Sequence, residues 1–262
     1  MNKKVSGAKA VVVPIKNYGK NYIPYVEDLA DRIIKYIDFY PTSYLPDTNL
    51  PGVDITPSDA FISLIDVVGN GYLVKDMPLE RLSYSETNGR RESIFNKISL
   101  QNSYITITDM DLVGKNILLI FWYDLPFYSA KNSTDTLITD SLNIPITTIQ
   151  GRNILSDDER MNNKRFRSIL LGRPSVLPDY SDGIGYPELF NIYITLRKGS
   201  YNVIENVPLI LFYQIDMIER TEFANIIFDL NNSYLTVGGA GTVDNPEDYN
   251  KKSVFINLTY ER

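Results

Sequence analysis

Arg90, Glu92, Leu100, Asn102, Ser103, Tyr104 and Thr106 recur 130 positions later as Arg220, Glu222, Leu230, Asn232, Ser233, Tyr234 and Thr236. The window needs no gap, and self-similarity at a fixed distance marks a chain built from repeated structural units. Whatever one half folds into, the other must be able to fold into as well.

The echo extends in the same order along most of the chain. Val13-Pro14-Ile15 answers Ile144-Pro145-Ile146, Gly19-Lys20-Asn21 answers Gly151-Arg152-Asn153, and Leu45-Pro46-Asp47 answers Leu177-Pro178-Asp179. Arg32 and Pro41 align with Arg165 and Pro174, and Met77-Pro78-Leu79 aligns with Val207-Pro208-Leu209, at offsets of 130 to 133. An extra loop from Gly238 to Asn250 then shifts the match, so that Lys115 to Asp124 aligns with Lys252 to Glu261. Convergent strand composition could supply one such window, but hardly six in one order. The expected organisation is an N-terminal arm over 1–10, a first domain over 11–126, a linker over 127–143 and a second domain over 144–262.

With 262 residues, each half is long enough to bury its own core. Nineteen Tyr, 14 Pro and 15 Gly suit strands broken by many turns. The net charge of −6 argues against a general or sequence-specific nucleic-acid binder, which needs clustered Lys and Arg. There is no cysteine and no histidine, which removes disulfides, thiolate nucleophiles, the commonest general base and the commonest metal ligand. No apolar run approaches the ~20 residues of a membrane-spanning helix, and the first residues lack the apolar core of a signal peptide. These exclusions favour an architectural protein over an enzyme.

Along the first half, strands are expected over Ala10 to Ile15, Arg32 to Tyr40, Ala60 to Val68, Tyr72 to Lys75, Ile94 to Leu100, Tyr104 to Thr108 and Ile117 to Tyr123. Gly69-Asn70-Gly71 is a hairpin turn, and short helical turns fit Tyr25 to Ala30 and Pro78 to Ser85. Pro41 to Pro57 is a surface loop. The second half repeats the plan, with strands over Ile144 to Ile149, Ile169 to Leu171, Phe190 to Leu196, Tyr201 to Ile204, Ile226 to Leu230, Tyr234 to Val237 and Val254 to Tyr260. Helices are expected over Glu159 to Arg167 and Ile215 to Glu222, and a loop over Arg173 to Pro187. Seven or eight short strands per half, with turn clusters between them, predict an all-β fold of two tandem jelly-roll domains, sandwich-like or barrel-like, related by internal duplication and carrying short helices.

Candidate chemistry is sparse. Gly238-Gly239-Ala240-Gly241 lacks the Lys-Ser/Thr and the helix of a phosphate loop, and reads as a hairpin tip. Asp179, Asp182 and Gly183, and separately Asp244, Glu247 and Asp248, are acidic tips that leave room for a weak structural Ca²⁺ without the alternating ligands of a dedicated loop. Otherwise no cofactor or metal is expected. Glu27 with Asp28 and Asp157 with Asp158 are sequence neighbours, which is not how a carboxylate pair faces a glycoside. Phe121 and Trp122 read as filling a core or the seam between halves.

Two tandem β domains, a short polar first segment, and a succession of strand, Gly turn, strand, Pro-Leu and helix (Phe61 to Ser85, echoed by Tyr193 to Asp216) resemble the double jelly-roll major capsid proteins of tailless, membrane-containing bacteriophages. The resemblance is architectural and covers most of the chain. It implies a homotrimer of pseudo-sixfold outline tiling an icosahedral shell, with neighbouring capsomers and other virion proteins as partners. It implies a chain synthesised in the host cytoplasm and located in the virion capsid. Large decorative loops are missing, which leaves receptor binding by this subunit in doubt. Tyr18, Tyr22, Tyr44, Tyr128, Tyr180 and Tyr186 are the expected contact residues, because Tyr buries a large rigid area and keeps a polar tip. Lys3, Lys4 and Lys9 would let the arm touch an inner membrane surface or a neighbour. A ring, neck or auxiliary capsid component of a tailed phage, and a tandem β-sandwich carbohydrate-binding protein, are the alternatives.

Overall fold

Continuous and alternating apolar runs both become strands, and the kind of run records how many faces of the strand are covered. Asn116–Asp124, apolar throughout its centre, is buried on both faces. Leu137–Pro145 alternates and is exposed at every second residue. The computed structural model describes residues 5–43, 45–46, 50–53, 59–67, 71–82, 93–124, 136–155, 161, 164–171, 191–212, 222–238, 249 and 252–261.

Among the described residues the fold is mostly β, with sixteen strands and short 3-10 turns. The first eight strands are β1 (Gly7–Pro14), β2 (Gly19–Tyr22), β3 (Ile33–Tyr40), β4 (Ala60–Ile65), β5 (Tyr72–Pro78), β6 (Ser93–Asn96), β7 (Tyr104–Ile107) and β8 (Asn116–Asp124). The second eight are β9 (Leu137–Pro145), β10 (Asn153–Ile154), β11 (Arg165–Leu171), β12 (Ile192–Lys198), β13 (Tyr201–Pro208), β14 (Glu222–Ile227), β15 (Asp229–Val237) and β16 (Ser253–Glu261).

The chain divides into two compact units. The N-terminal unit holds Ala8–Leu45 and Leu50–Phe127; the C-terminal unit holds Tyr128–Arg262 with Met1–Gly7 and Pro46–Asn49. In the N-terminal unit the strands run in the order β1-β8-β3-β6 along one sheet and β2-β7-β4-β5 along another. In the C-terminal unit the orders are β9-β16-β11-β14 and β10-β15-β12-β13. Counting strands from one to eight inside each unit, both read 1-8-3-6 and 2-7-4-5. Apart from the consecutive pairs β4-β5 and β12-β13, strands distant in sequence lie side by side in these sheets, so each unit closes largely by long-range contacts.

The correspondence reaches individual hydrogen bonds. Ser103 Oγ accepts the Ile65 N–H at 3.0 Å and donates to the Ser99 carbonyl at 2.8 Å. Ser233 Oγ accepts the Arg197 N–H at 3.0 Å and donates to the Asp229 carbonyl at 2.6 Å. Asn21 Oδ1 caps the N–H groups of Lys16 and Asn17, as Asn153 Oδ1 caps those of Thr147 and Thr148. Both third strands carry a bulge, and at each the bulged cation pairs with the end of the eighth strand: Lys35 with Asp124 at 2.8 Å, Arg167 with Glu261. The 3-10 turn Leu79–Leu82 has its counterpart in Leu209–Phe212.

Within the N-terminal unit the core is formed by alternate residues of both sheets, among them Val11, Val13, Ile37, Phe39, Ile62, Leu64, Ile105, Ile107, Leu119 and Phe121. Burying each such side chain is worth ~1.5–3 kcal/mol, which makes this apolar layer the main stabilising contribution. Trp122 lies on the opposite face of β8 from Phe121, is fully buried, and its Nε1–H donates to the buried Asp38 carboxylate at 2.6 Å. In the C-terminal unit Phe166 stacks on Phe228 at 4.0 Å and meets the edge of Tyr260 at 5.8 Å.

Several expectations need correction. β1 begins at Gly7, inside the segment expected as a free arm, and β9 begins at Leu137, inside the expected linker. β9 is polar on one face because that face is solvent-exposed, and a polar half of an alternating strand resembles a linker in composition. Arg165 to Arg167, expected as the end of a helix, belong to β11, where Phe166 is core, Arg165 is exposed and Arg167 is half-buried against Glu261. Leu100, expected as the end of a strand, sits in a 3-10 turn. Because Ile34 pairs with Tyr123 as Phe166 pairs with Tyr260, the counterpart of Arg165 is Ile33, one residue beyond the Arg32 of the sequence alignment. The expected loops and turns at Gly69-Asn70, Arg173 to Pro187 and 239–248, and the expected helix over Ile215 to Glu222 save its last residue, lie outside the described residues.

Candidate functional site

On the outer side of the β2-β7-β4-β5 sheet two exposed tyrosines, Tyr22 and Tyr72, flank the buried Tyr104. On β2 the Asn21 side chain is turned inward and tied to the preceding turn by four hydrogen bonds, which sends its neighbours Lys20 and Tyr22 outward. Gly19, at φ 92, starts this strand in a conformation that side chains rarely adopt. Tyr22 is 59% exposed and pairs directly across the sheet with Tyr104.

Tyr104 is the hub. The Tyr22 ring meets it edge-on, with centroids 5.9 Å apart and planes at 71°. Lys20 Nζ sits 4.2 Å above its centroid, a cation-π distance. Its hydroxyl lies 3.1 Å from that of Tyr72 on β5, and Lys75 Nζ stands 5.3 Å from the Tyr72 ring. The hydrogen bond with Tyr72, followed by those with Ser63 and Lys20, holds the Tyr104 phenol below its ordinary range. The same bond raises Tyr72, and Tyr104 raises Lys20.

The C-terminal unit keeps the hub and lacks the patch. Arg152 stands 4.4 Å over the Tyr234 ring as Lys20 stands over Tyr104. Register places Ile154 where Tyr22 lies, and Asn202 where Tyr72 lies. The cation over tyrosine is common to both units; the exposed phenols of Tyr22 and Tyr72 have no counterpart at the matching positions of the other. Such a surface can bind by stacking, by cation-π contact and by donating hydrogen bonds.

Of the expected contact tyrosines, Tyr18 and Tyr22 are both close to 60% exposed, as is Tyr25, which the sequence reading left out. Tyr44, Tyr128, Tyr180 and Tyr186 lie outside the described residues, as do Lys3 and Lys4 and both acidic tips considered for Ca²⁺. Lys9 is not on a free arm: it belongs to β1, and its Nζ pairs with the Asp28 carboxylate at 2.6 Å. Its strand geometry and this ion pair commit it to the folded unit. Tyr72, Tyr104 and Lys20 were missed as a group because they converge from three strands, although Lys20-Asn21-Tyr22 already carried the alternation of a strand with an outward cation and ring. Among the described residues no group of three or more Asp or Glu is placed to hold a metal ion. Comparison of the chain with protein-family models, with curated proteins and with solved structures finds no match to any of them.

Proposed function

We propose that each unit is a jelly roll, that the two arose by internal duplication, and that the chain is a non-enzymatic shell subunit: a major capsid protein assembling as a homotrimer. One observation carries the reading. The two units share the strand orders 1-8-3-6 and 2-7-4-5, with the same serine, asparagine and bulge hydrogen bonds at matching positions. Eight strands in two facing sheets with crossing connections is the jelly-roll plan, and unrelated domains have no reason to share minor side-chain contacts.

Duplication has a geometric consequence that suits a shell. Three chains around an axis offer six similar units, so threefold symmetry takes on a pseudo-sixfold outline that can tile a curved surface. The exposed tyrosine patch supports an association role, since Tyr is enriched where proteins meet. In this reading the partners are further copies of the chain, neighbouring capsomers and other virion proteins, and the protein resides in the virion.

Mass measurement of the purified chain in solution tests this. A trimer burying well over ~1,000 Å² per chain is expected, together with hexagonal capsomers in electron micrographs of the source particle. A ring of higher order would replace the shell by a tail-apparatus role. A monomer that binds glycans would overturn the assembly reading.

A further inference from the structure

Strand β9 presents a long and regular backbone edge. Its nine residues pair one-for-one with β16, from Leu137 with Glu261 to Pro145 with Ser253, and no bulge interrupts the ladder. Side chains hold that ladder in register: Thr139 bonds Thr259 at 2.9 Å, and the Ser141 hydroxyl donates to Asn257 at 2.6 Å. β9 ends the order β14-β11-β16-β9, so among the described residues no strand lies along its other edge. Folded proteins blunt such edges by shortness, bulges or charge. β2, β6 and β10 have at most four residues, and the ladders of β5 and β14 are irregular. β9 has none of these devices, and its one charge, Asp140, accepts the Tyr260 hydroxyl at 2.5 Å.

The phase of this edge follows from one bond. The Ile146 N–H donates to the Lys252 carbonyl at 2.8 Å, at the position just beyond the pair of Pro145 and Ser253. Backbone groups alternate in direction along an antiparallel strand. Ile138, Asp140, Leu142 and Ile144 therefore bond to β16, while Leu137, Thr139, Ser141, Asn143 and Pro145 direct their backbone groups away from it. Proline, with no N–H to give, stands at an outward position, where an edge strand tolerates it.

A strand that fits must be extended and in phase, must bring no like charge, and must end where Pro145 lacks its donor. A second β9 meets all of these conditions. Laid antiparallel about Ser141, it sets Ser141 against Ser141, Thr139 against Asn143 and Leu137 against Pro145, so that every outward N–H meets a carbonyl. The proline falls on the last pair. Alternate positions set Ile138 against Ile144 and Asp140 against Leu142, so no charge opposes its like. Leu137, 55% exposed in the single chain, gains an apolar neighbour.

We propose that two copies of the chain pair β9 to β9, antiparallel about a twofold axis at Ser141, and so join two β14-β11-β16-β9 sheets into one. The contact is isologous, the same patch serving on both copies. It depends on the strand order alone and adds to the proposed trimer a contact of a different symmetry.

The chain has no cysteine, so single introduced thiols report this register. Directly hydrogen-bonded partners lie ~5.5 Å apart between Cα atoms, within disulfide range. Under mild oxidation Ser141→Cys should form a covalent dimer. Thr139→Cys alone should not, since the two copies of that position lie more than ~10 Å apart along the pair, whereas its mixture with Asn143→Cys should. Ser141→Cys staying unlinked, or Thr139→Cys linking to itself as fast as Ser141→Cys does, overturns the proposal. Ser141→Lys, at an exposed position, sets two cations face to face and should weaken self-association by about tenfold or more; an equimolar mixture with Ser141→Glu should restore it. Unchanged association of Ser141→Lys, or no restoration in the mixture, overturns the proposal. Trimers whose Ser141→Cys thiols stay unlinked remove this contact and keep the shell trimer, whereas linked dimers without trimers do the opposite.

Discussion

Ser63 and Asp76 hold a β-bulge between β4 and β5 from both sides: the Ser63 hydroxyl donates to the Asp76 carboxylate at 3.1 Å and accepts the Asp76 backbone N–H at 3.0 Å. The bulge keeps Asp76 at φ 47, in the left-handed region. Thr195 and Asn206 repeat the arrangement between β12 and β13, at 3.1 Å for both bonds and φ 52. Asp and Asn are the side-chain-bearing residues best suited to that backbone conformation, and the two units each use one of them.

Asp76→Asn should therefore be nearly neutral, since the C-terminal unit already solves the same problem with Asn. Asp76→Val combines a β-branched residue at positive φ with a lost hydrogen bond and should cost ~2–3 kcal/mol. Urea denaturation of the two variants, compared at equal slope, checks the ranking; equal losses would mean that the bulge is not held this way.

Ser103→Ala and Ser233→Ala remove the same two hydrogen bonds from the same place in each unit, at side chains with no exposure. Each should lower the stability of its own unit by ~1–3 kcal/mol. Hydrogen exchange followed at Ile65 and at Arg197 reads the effects separately. A loss in one unit without a comparable loss in the other would break the equivalence argued above.

Trp122 is the only tryptophan, so its emission should be that of a fully buried indole and should shift to the red as the N-terminal unit unfolds. Trp122→Phe leaves the buried Asp38 carboxylate one donor short and opens space beside it, costing ~2–4 kcal/mol. Circular dichroism melts of this variant and of Trp122→Phe with Asp38→Asn measure how much of the cost is the lost hydrogen bond to the buried charge: the second should recover part of the loss. No recovery would assign the cost to packing alone.

Asp229 accepts from Lys198 Nζ at 2.7 Å and from the Gly199 N–H at 3.0 Å, and these two bonds hold its carboxyl below the usual aspartate range. The folded-state value is depressed, so the stabilisation is complete above the unfolded aspartate value and is lost as pH falls through the folded one. Asp229→Asn should cost about 1 kcal/mol at neutral pH and nothing at the acid end. Stability measured from neutral pH downward should show the wild type and the variant converging; parallel curves would contradict the linkage.

The duplication was legible in the sequence because the residues that repeat most faithfully, Ser103-Tyr104 and Ser233-Tyr234, serve local hydrogen bonds and strand pairing that any copy of this fold needs. The strand character of Ile117 to Tyr123 and the helical turn near Leu79 were legible for the same reason: continuous apolar runs and Pro-Leu starts act over a few residues. What stayed hidden was decided by contacts distant along the chain. β9 was read as a linker and Arg165 to Arg167 as helix, since a strand with one solvated face has no distinct composition until its partner β16 is in place. Tyr104 became a hub only when β2 and β5 brought Lys20, Tyr22 and Tyr72 to it. Burial followed the same rule: Tyr104 is buried between the exposed Tyr22 and Tyr72, because strands far apart in sequence pack beside it only in the folded sheet.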